Sequence, residues 1–197
     1  EEPRDKPPAT MADIVAYEIS PAFLDTLATR FADVGRLDAR PIDWTDNEGL
    51  LRDYGARAGR ADLFFGVDVL MMMDFQSALT YLVSAGVMLR EGGRFFATFA
   101  DAGSDSGWER MLRDCGRHSA FDDAPSTRFH WVEAGIVENA LRRLGFDDIR
   151  IEHGPEHGLD IARLYVGATL ARRSCSLEAA RHLAPAGDST NRYQCAP

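Results

Sequence analysis

Ala61-Asp62-Leu63-Phe64-Phe65-Gly66-Val67-Asp68-Val69-Leu70 is the stretch that decides how this 197-residue chain is read. From Leu63 to Val67 the apolar residues succeed one another without the in-and-out alternation of a half-exposed strand. A run of that kind suits a parallel strand covered on both faces, so it is expected at the centre of a sheet. Outward from it, helix and strand alternate. Downstream, Phe75, Leu79, Leu82 and Val83 recur at helical spacing until Glu91-Gly92-Gly93 stops the helix, and Phe95 to Phe99 forms the next strand. Upstream lie a short polar helix at about 47–58 and a strand from Leu37 to Asp43, which Pro41 marks as an edge strand or one that ends early. Before these, Ile14 to Glu18 reads as a strand. Ser20 and Pro21 then stand as cap and first residue of a helix whose apolar positions (Phe23, Leu24, Leu27, Phe31, Val34) run to Gly35.

Residues 101–130 are polar and irregular, with one short helix around Trp108, Met111 and Leu112. Helical spacing returns from Val132 to Leu144, with Gly145 as its stop. Two strands close the pattern, Asp148 to Glu152 and Ile161 to Leu170, and the short glycine-containing loop between them suits an antiparallel pair. The fold expected is α/β, a mainly parallel doubly wound sheet with a C-terminal antiparallel strand pair. Its domain should span residues 13–170. Residues 1–12, charged and proline-rich, read as a flexible lead-in, and 171–197 as a polar tail outside the core.

Composition narrows the function classes. With 45% hydrophobic and 27% charged residues the chain can bury a core, and global disorder is excluded. The net charge of -9 argues against a surface made to neutralise phosphates, so no nucleic-acid partner is expected. No apolar run approaches the roughly 20 residues of a membrane span, and the opening residues lack the basic end and apolar core of a secretory signal. The expectation is a cytoplasmic chain with no membrane partner. Cys115, Cys175 and Cys195 show none of the close pairings of a zinc site or redox dithiol, and no metal is expected.

In an open α/β sheet ligands bind beyond the carboxyl ends of the strands. Glu18 ends the first strand, Asp43-Trp44 the second, and Gly66-Val67-Asp68 the third. An acid there can accept both hydroxyl hydrogens of a ribose, and an aromatic beside a second acid can flank an adenine. The bland reading of each acid alone is a solvated loop residue or helix cap. Together they suit an adenosine ligand.

Four motifs, in order and spacing, resemble class I S-adenosylmethionine-dependent methyltransferases over about residues 13–170. Tyr17-Glu18-Ile19-Ser20-Pro21 is similar to the end of that family's second strand, and Ala61 to Leu70 to its fourth. Leu89-Arg90-Glu91-Gly92-Gly93-Arg94-Phe95 resembles the turn into the fifth strand, with Glu91 where proline is usual, and Leu144-Gly145-Phe146 the approach to the sixth. The resemblance implies a Rossmann-like fold, S-adenosylmethionine as cofactor, and contacts to it from Glu18, Ile19, Asp43, Trp44, Gly66 and Val67. It also implies a small-molecule methyl acceptor, with His130 as the candidate to take its proton. Methyl transfer depends chiefly on alignment of donor and acceptor, which fits a sequence without a catalytic triad.

One departure matters. The family's first strand and its glycine-rich loop, which wrap the methionine part of the cofactor, have no counterpart here. The expectation is therefore the C-terminal portion of a longer enzyme; the alternatives are a sheet repacked so that the second strand meets the fourth, or a non-catalytic domain acting as partner or scaffold. A nicotinamide-dependent oxidoreductase would need its own glycine fingerprint, equally missing. A homodimer is the expected assembly. Of the other histidines, His118 lies in the segment where the resembled family builds its acceptor pocket. His153 and His157 flank Glu156 at a metal-gripping spacing, but Gly154-Pro155 breaks any regular helix through them, and a polar loop is the better reading.

Overall fold

A computed structural model describes residues 13–32, 36–42, 47–117, 129–154 and 162–183. The lead-in 1–12, Asp43, Trp44, His118, Glu156, His157 and residues 184–197 lie outside them. The chain divides into two compact units, Glu1–Leu50 and Leu51–Pro197.

The first unit is a β-α-β crossover. β1 (Ile14–Glu18) and β2 (Leu37–Pro41) pair in parallel, from Ile14 opposite Leu37 to Glu18 opposite Pro41. Proline has no N–H for a ladder, and the strand ends on Pro41, as its chemistry requires. α1 (Pro21–Arg30) joins the two strands; Ser20 caps it, its hydroxyl accepting the Phe23 N–H at 3.5 Å. The helix stops five residues short of Gly35. None of its residues is buried.

The second unit begins in α2 (Asn47–Gly55) and contains β3 (Ala61–Gly66), α3 (Phe75–Met88), β4 (Leu89–Asp101), α4 (Asp105–Arg117), β5 (Trp131–Val132), α5 (Ala134–Arg143), β6 (Phe146–His153), β7 (Arg163–Leu170) and α6 (Arg173–Leu183). Its sheet runs β3-β4-β7-β6, with β5 paired to the end of β4. β3 and β5 are parallel to β4, whereas β7 is antiparallel to both β4 and β6. The carboxyl ends of β3, β4, β5 and β6 therefore share one edge with the amino end of β7. The glycine pair expected to stop α3 lies instead inside β4. Glu91-Gly92-Gly93 forms a bulge that carries the register from Ala61 opposite Leu89 to Leu63 opposite Arg94, and Gly92 supplies the left-handed φ of 78° that the bulge needs.

Alternation on β4 and β7 defines two faces. One carries Phe95, Ala97, Phe99, Leu164, Val166 and Ala168, all buried together with Leu82, Val137, Leu141 and Ala180 from α3, α5 and α6. Phe95 stacks on Phe64 at 6.0 Å and meets the edge of Phe146 at 5.8 Å. Truncating it to alanine is expected to cost about 3–5 kcal/mol. On the other face Leu63 and Phe65 are 55% and 64% exposed, and Phe96 opposite Phe65 is 36% exposed. The central, doubly covered placement expected for Ala61–Leu70 is thus corrected: β3 stands first in its sheet, and of this stretch Ala61, Phe64 and Leu70 pack on the core. An unbroken apolar run records what a strand offers, not what covers it.

The C-terminal tail is also corrected in part. Arg173–Leu183 is a helix packed on α3, with Ser176 and Ala180 fully buried.

Candidate functional site

The carboxyl edge of the five-stranded sheet gathers the polar chemistry of the second unit. β3 ends at Gly66, and two residues on Asp68 turns the chain with a φ of 59°, a region that strains a residue with a side chain. Three contacts hold that conformation. The Asp68 N–H donates to the Thr98 hydroxyl at 2.8 Å, that hydroxyl reaches Asp68 Oδ1 at 3.4 Å, and Arg163 Nη2 donates to Asp68 Oδ2 at 2.6 Å. Thr98 is buried on β4 and Arg163 opens β7, so two neighbouring strands fix the turn after a third.

β4 ends at Asp101, which is wholly buried. Its Oδ1 accepts the Gly103 N–H at 2.8 Å, and its Oδ2 lies 2.7 Å from Nδ1 of His153, the last residue of β6. Burial pushes the carboxyl upward, but hydrogen bonds from His153, Ser104 and the Gly103 N–H outweigh it, and the net displacement is below the ordinary carboxylate value. Asp101 is thus a carboxylate inside the protein. Gly107 allows α4 to start this close: a side chain there would lie 1.7 Å from the Asp101 carbonyl oxygen.

His130 precedes β5, and its N–H donates to the Met71 carbonyl at 2.9 Å, tying it to the turn after β3. Asp74, the cap of α3, is held below the ordinary carboxyl value chiefly by the N–H and hydroxyl of Ser77. Trp131 pairs with Ala100, next to Asp101, and its ring meets Phe129 edge-on at 6.0 Å, with Arg110 over the Phe129 ring at 4.4 Å.

The sequence-derived site residues divide between the two units. Glu18 ends β1, and its Oε1 accepts the N–H groups of Ile19 and Ser20, both at 2.8 Å, so the carboxylate is held at the mouth of α1. Ile19 is exposed. Gly66 and Val67 stand at the carboxyl end of β3 in the second unit, with His130 tied to the turn just beyond. Asp43 and Trp44 lie outside the described residues. Asp101 escaped the sequence reading because nothing in Phe99-Ala100-Asp101 separates a buried acid from a solvated strand end. His153 drew notice only for its neighbour His157, while its partner sits 52 residues away.

Among the described residues no cluster of three or more His, Cys, Asp or Glu side chains is arranged to hold a metal, and no helix is long and apolar enough to cross a membrane.

No protein-family model and no curated protein matches the sequence. Solved structures do match, and the fold is that of S-adenosylmethionine-dependent methyltransferases. An O-methyltransferase family protein from Burkholderia thailandensis superposes with a TM-score of 0.58 at 13% identity, over 80% of this chain and 43% of its own. The CurJ carbon methyltransferase gives 0.54 at 16% identity, over 80% and 41%. Human N-acetylserotonin methyltransferase, solved in complex with S-adenosylmethionine, gives 0.53 at 13% identity, over 81% and 41%. This chain spans less than half the length of each of these three.

Proposed function

We propose that the chain takes part in S-adenosylmethionine-dependent methyl transfer to a small-molecule acceptor, as the C-terminal portion of a longer enzyme. The observation that carries this reading is the sheet order β3-β4-β7-β6, with an antiparallel β7 between two parallel strands, in a fold that superposes on methyltransferases over about four-fifths of the chain. The residues present fit the adenosine end of the cofactor. Glu18 offers a carboxylate whose orientation is fixed by two backbone N–H groups, and Gly66 brings a strand end without a side chain. The ribose hydroxyls of the cofactor would be held by the Glu18 carboxylate. When bound, the cofactor supplies a methyl group activated by a positively charged sulfur. The sequence holds no Gly-x-Gly run for its amino-acid end, and the exposed Leu63 and Phe65 of β3 give a further strand and helix something to cover.

Calorimetric titration of S-adenosylmethionine tests both parts. The 197-residue chain alone is expected to bind with Kd above about 1 mM, and the same chain joined to the coding sequence that precedes it at about micromolar Kd. Micromolar binding by the chain alone overturns the claim that the site is shared with a preceding segment. No binding by either form overturns methyl transfer itself.

A further inference from the structure

We infer that α4 is a self-association surface, on which a second copy of this chain docks its own α4 in antiparallel orientation. The helix is amphipathic, but its apolar stripe is not the side that meets the rest of the molecule. Gly107, Arg110, Met111 and Asp114 share one face at i, i+3, i+4 and i+7, and all are buried or half-buried. Gly107 rests against the Asp101 carbonyl and Arg110 lies over the Phe129 ring at 4.4 Å, so this face, with Met111 its only large apolar residue, is the inward one. Trp108, Leu112 and Cys115 stand at i, i+4 and i+7 on the neighbouring face. All three are exposed, Trp108 and Leu112 by 53% each. Single exposed apolar residues are ordinary, but three in a row along one helix, one of them tryptophan, form a stripe of the kind that marks an interaction surface. Steps of four and three are also the spacing of a helix–helix seam.

Two features select a second copy as the occupant. The stripe is self-complementary about Leu112, with Trp108 four residues before it and Cys115 three after. An antiparallel pair with its two-fold axis at Leu112 therefore sets Leu112 against the partner's Leu112, and Trp108 over the turn that carries the partner's Cys115. The charges match in the same arrangement. Glu109 and Arg113 are exposed, one turn apart on the same flank of the stripe, and neither has an ion-pair partner among the described residues. In an antiparallel pair like flanks meet, so Glu109 of each copy lies beside the partner's Arg113, twice over by symmetry. A contact of one helix per copy is small, and the dimer is expected to be weak, with a Kd of about 10–100 µM. Nothing in this contact depends on the methyl-transfer reading.

Sedimentation equilibrium of the 197-residue chain, alone and joined to the coding sequence that precedes it, measures the association. Both forms are expected to dimerise reversibly. Leu112→Asp, which places two carboxylates at the axis, should weaken the dimer about 10-fold or more. Glu109→Arg and Arg113→Glu each bring like charges together and should each weaken it several-fold, whereas the double variant should recover association to within about twofold of the native chain. All three positions are exposed, and far-ultraviolet circular dichroism with thermal melts checks that every variant is folded. Monomers at every concentration overturn the inference. A dimer indifferent to Leu112→Asp places the contact elsewhere and overturns it too, as does a loss in both charge variants that the double variant fails to recover. A dimer seen for the 197-residue chain but lost in the joined form means that a preceding segment of the same chain covers the stripe, and overturns it equally.

Discussion

His153 and Asp101 lie 52 residues apart in the chain, yet their side chains meet at 2.7 Å because β7 runs antiparallel between β4 and β6. Leu164 on β7 is opposite both Phe99 and His153, which brings the end of β6 level with the end of β4. The strand order therefore makes the contact, and the contact in turn satisfies a carboxylate that burial alone would penalise.

Asp101→Asn is expected to lower stability by about 1.5–3 kcal/mol near pH 7, the range for a hydrogen bond to a charged group. Because the carboxyl is depressed in the folded state, its contribution is present above the ordinary value of 3.8 and is lost as the pH falls from there through the folded value. The gap between the native protein and Asp101→Asn should therefore close on acidification. Urea titrations at pH 7, 5 and 3 measure it; a gap that widens toward pH 3 contradicts the assignment.

Asp74 caps α3, its Oδ1 accepting the Ser77 N–H at 2.9 Å and its Oδ2 the Ser77 hydroxyl at 2.8 Å. Asp74→Ala should cost about 1 kcal/mol and Asp74→Ser much less, since serine also caps. Thermal melts of the two variants provide the comparison. Equal losses would mean that the second carboxylate oxygen's contact with the Ser77 hydroxyl, rather than the cap itself, is what Asp74 contributes.

Glycines at the two ends of α5 should respond differently. Gly145 ends the helix region at a φ of 87°, and a Cβ there would lie 2.2 Å from the Arg172 carbonyl oxygen. Gly145→Ala combines backbone strain with a clash and should cost about 2 kcal/mol or more. Gly135, inside the first turn, has open space around it, so Gly135→Ala should be neutral or stabilising by up to about 1 kcal/mol. Denaturant midpoints that fall together would show that strain at Gly145 is not the cause.

Local chemistry made much of this fold readable. Ser20-Pro21 opens α1, Gly145 closes α5, and β1, β2, β3, β6 and β7 lie within a few residues of the runs read for them, whereas β4 starts six residues before Phe95. Coverage was not readable. Whether Leu63 and Phe65 face a layer of protein depends on segments far from them, and the apolar run looks the same in either case. Pairing at a distance was equally hidden: Glu18 announced itself by ending a strand before Ser-Pro, whereas Asp101 and His153 acquire meaning only once β7 is placed between their strands. The tail failed for a related reason. Ser176 and Ala180 carry little hydropathy, and small residues at a close helix crossing leave almost no trace in an apolar pattern.

That crossing supports the last prediction. α6 lies against α3 so closely that a Cβ on Gly86 would fall 1.9 Å from the Ser176 hydroxyl oxygen and 2.6 Å from its Cβ. The same hydroxyl donates to the Leu144 carbonyl at 2.6 Å, so Ser176 both fits under α3 and ties α6 to the end of α5. Gly86→Ala should overpack the crossing and cost about 1–3 kcal/mol. Ser176→Gly removes the obstructing atoms but leaves the Leu144 carbonyl short of a donor, with a loss of about 1–3 kcal/mol. Joined in one protein, the two changes should cost less than their sum, because the glycine makes room for the new methyl group; a coupling of at least about 0.5 kcal/mol is expected for residues in contact. Urea titrations of the single and double variants give that coupling directly. Strict additivity would mean that α6 does not rest on Gly86, and removal of residues 173–197 would then leave stability nearly unchanged instead of lowering it by several kcal/mol.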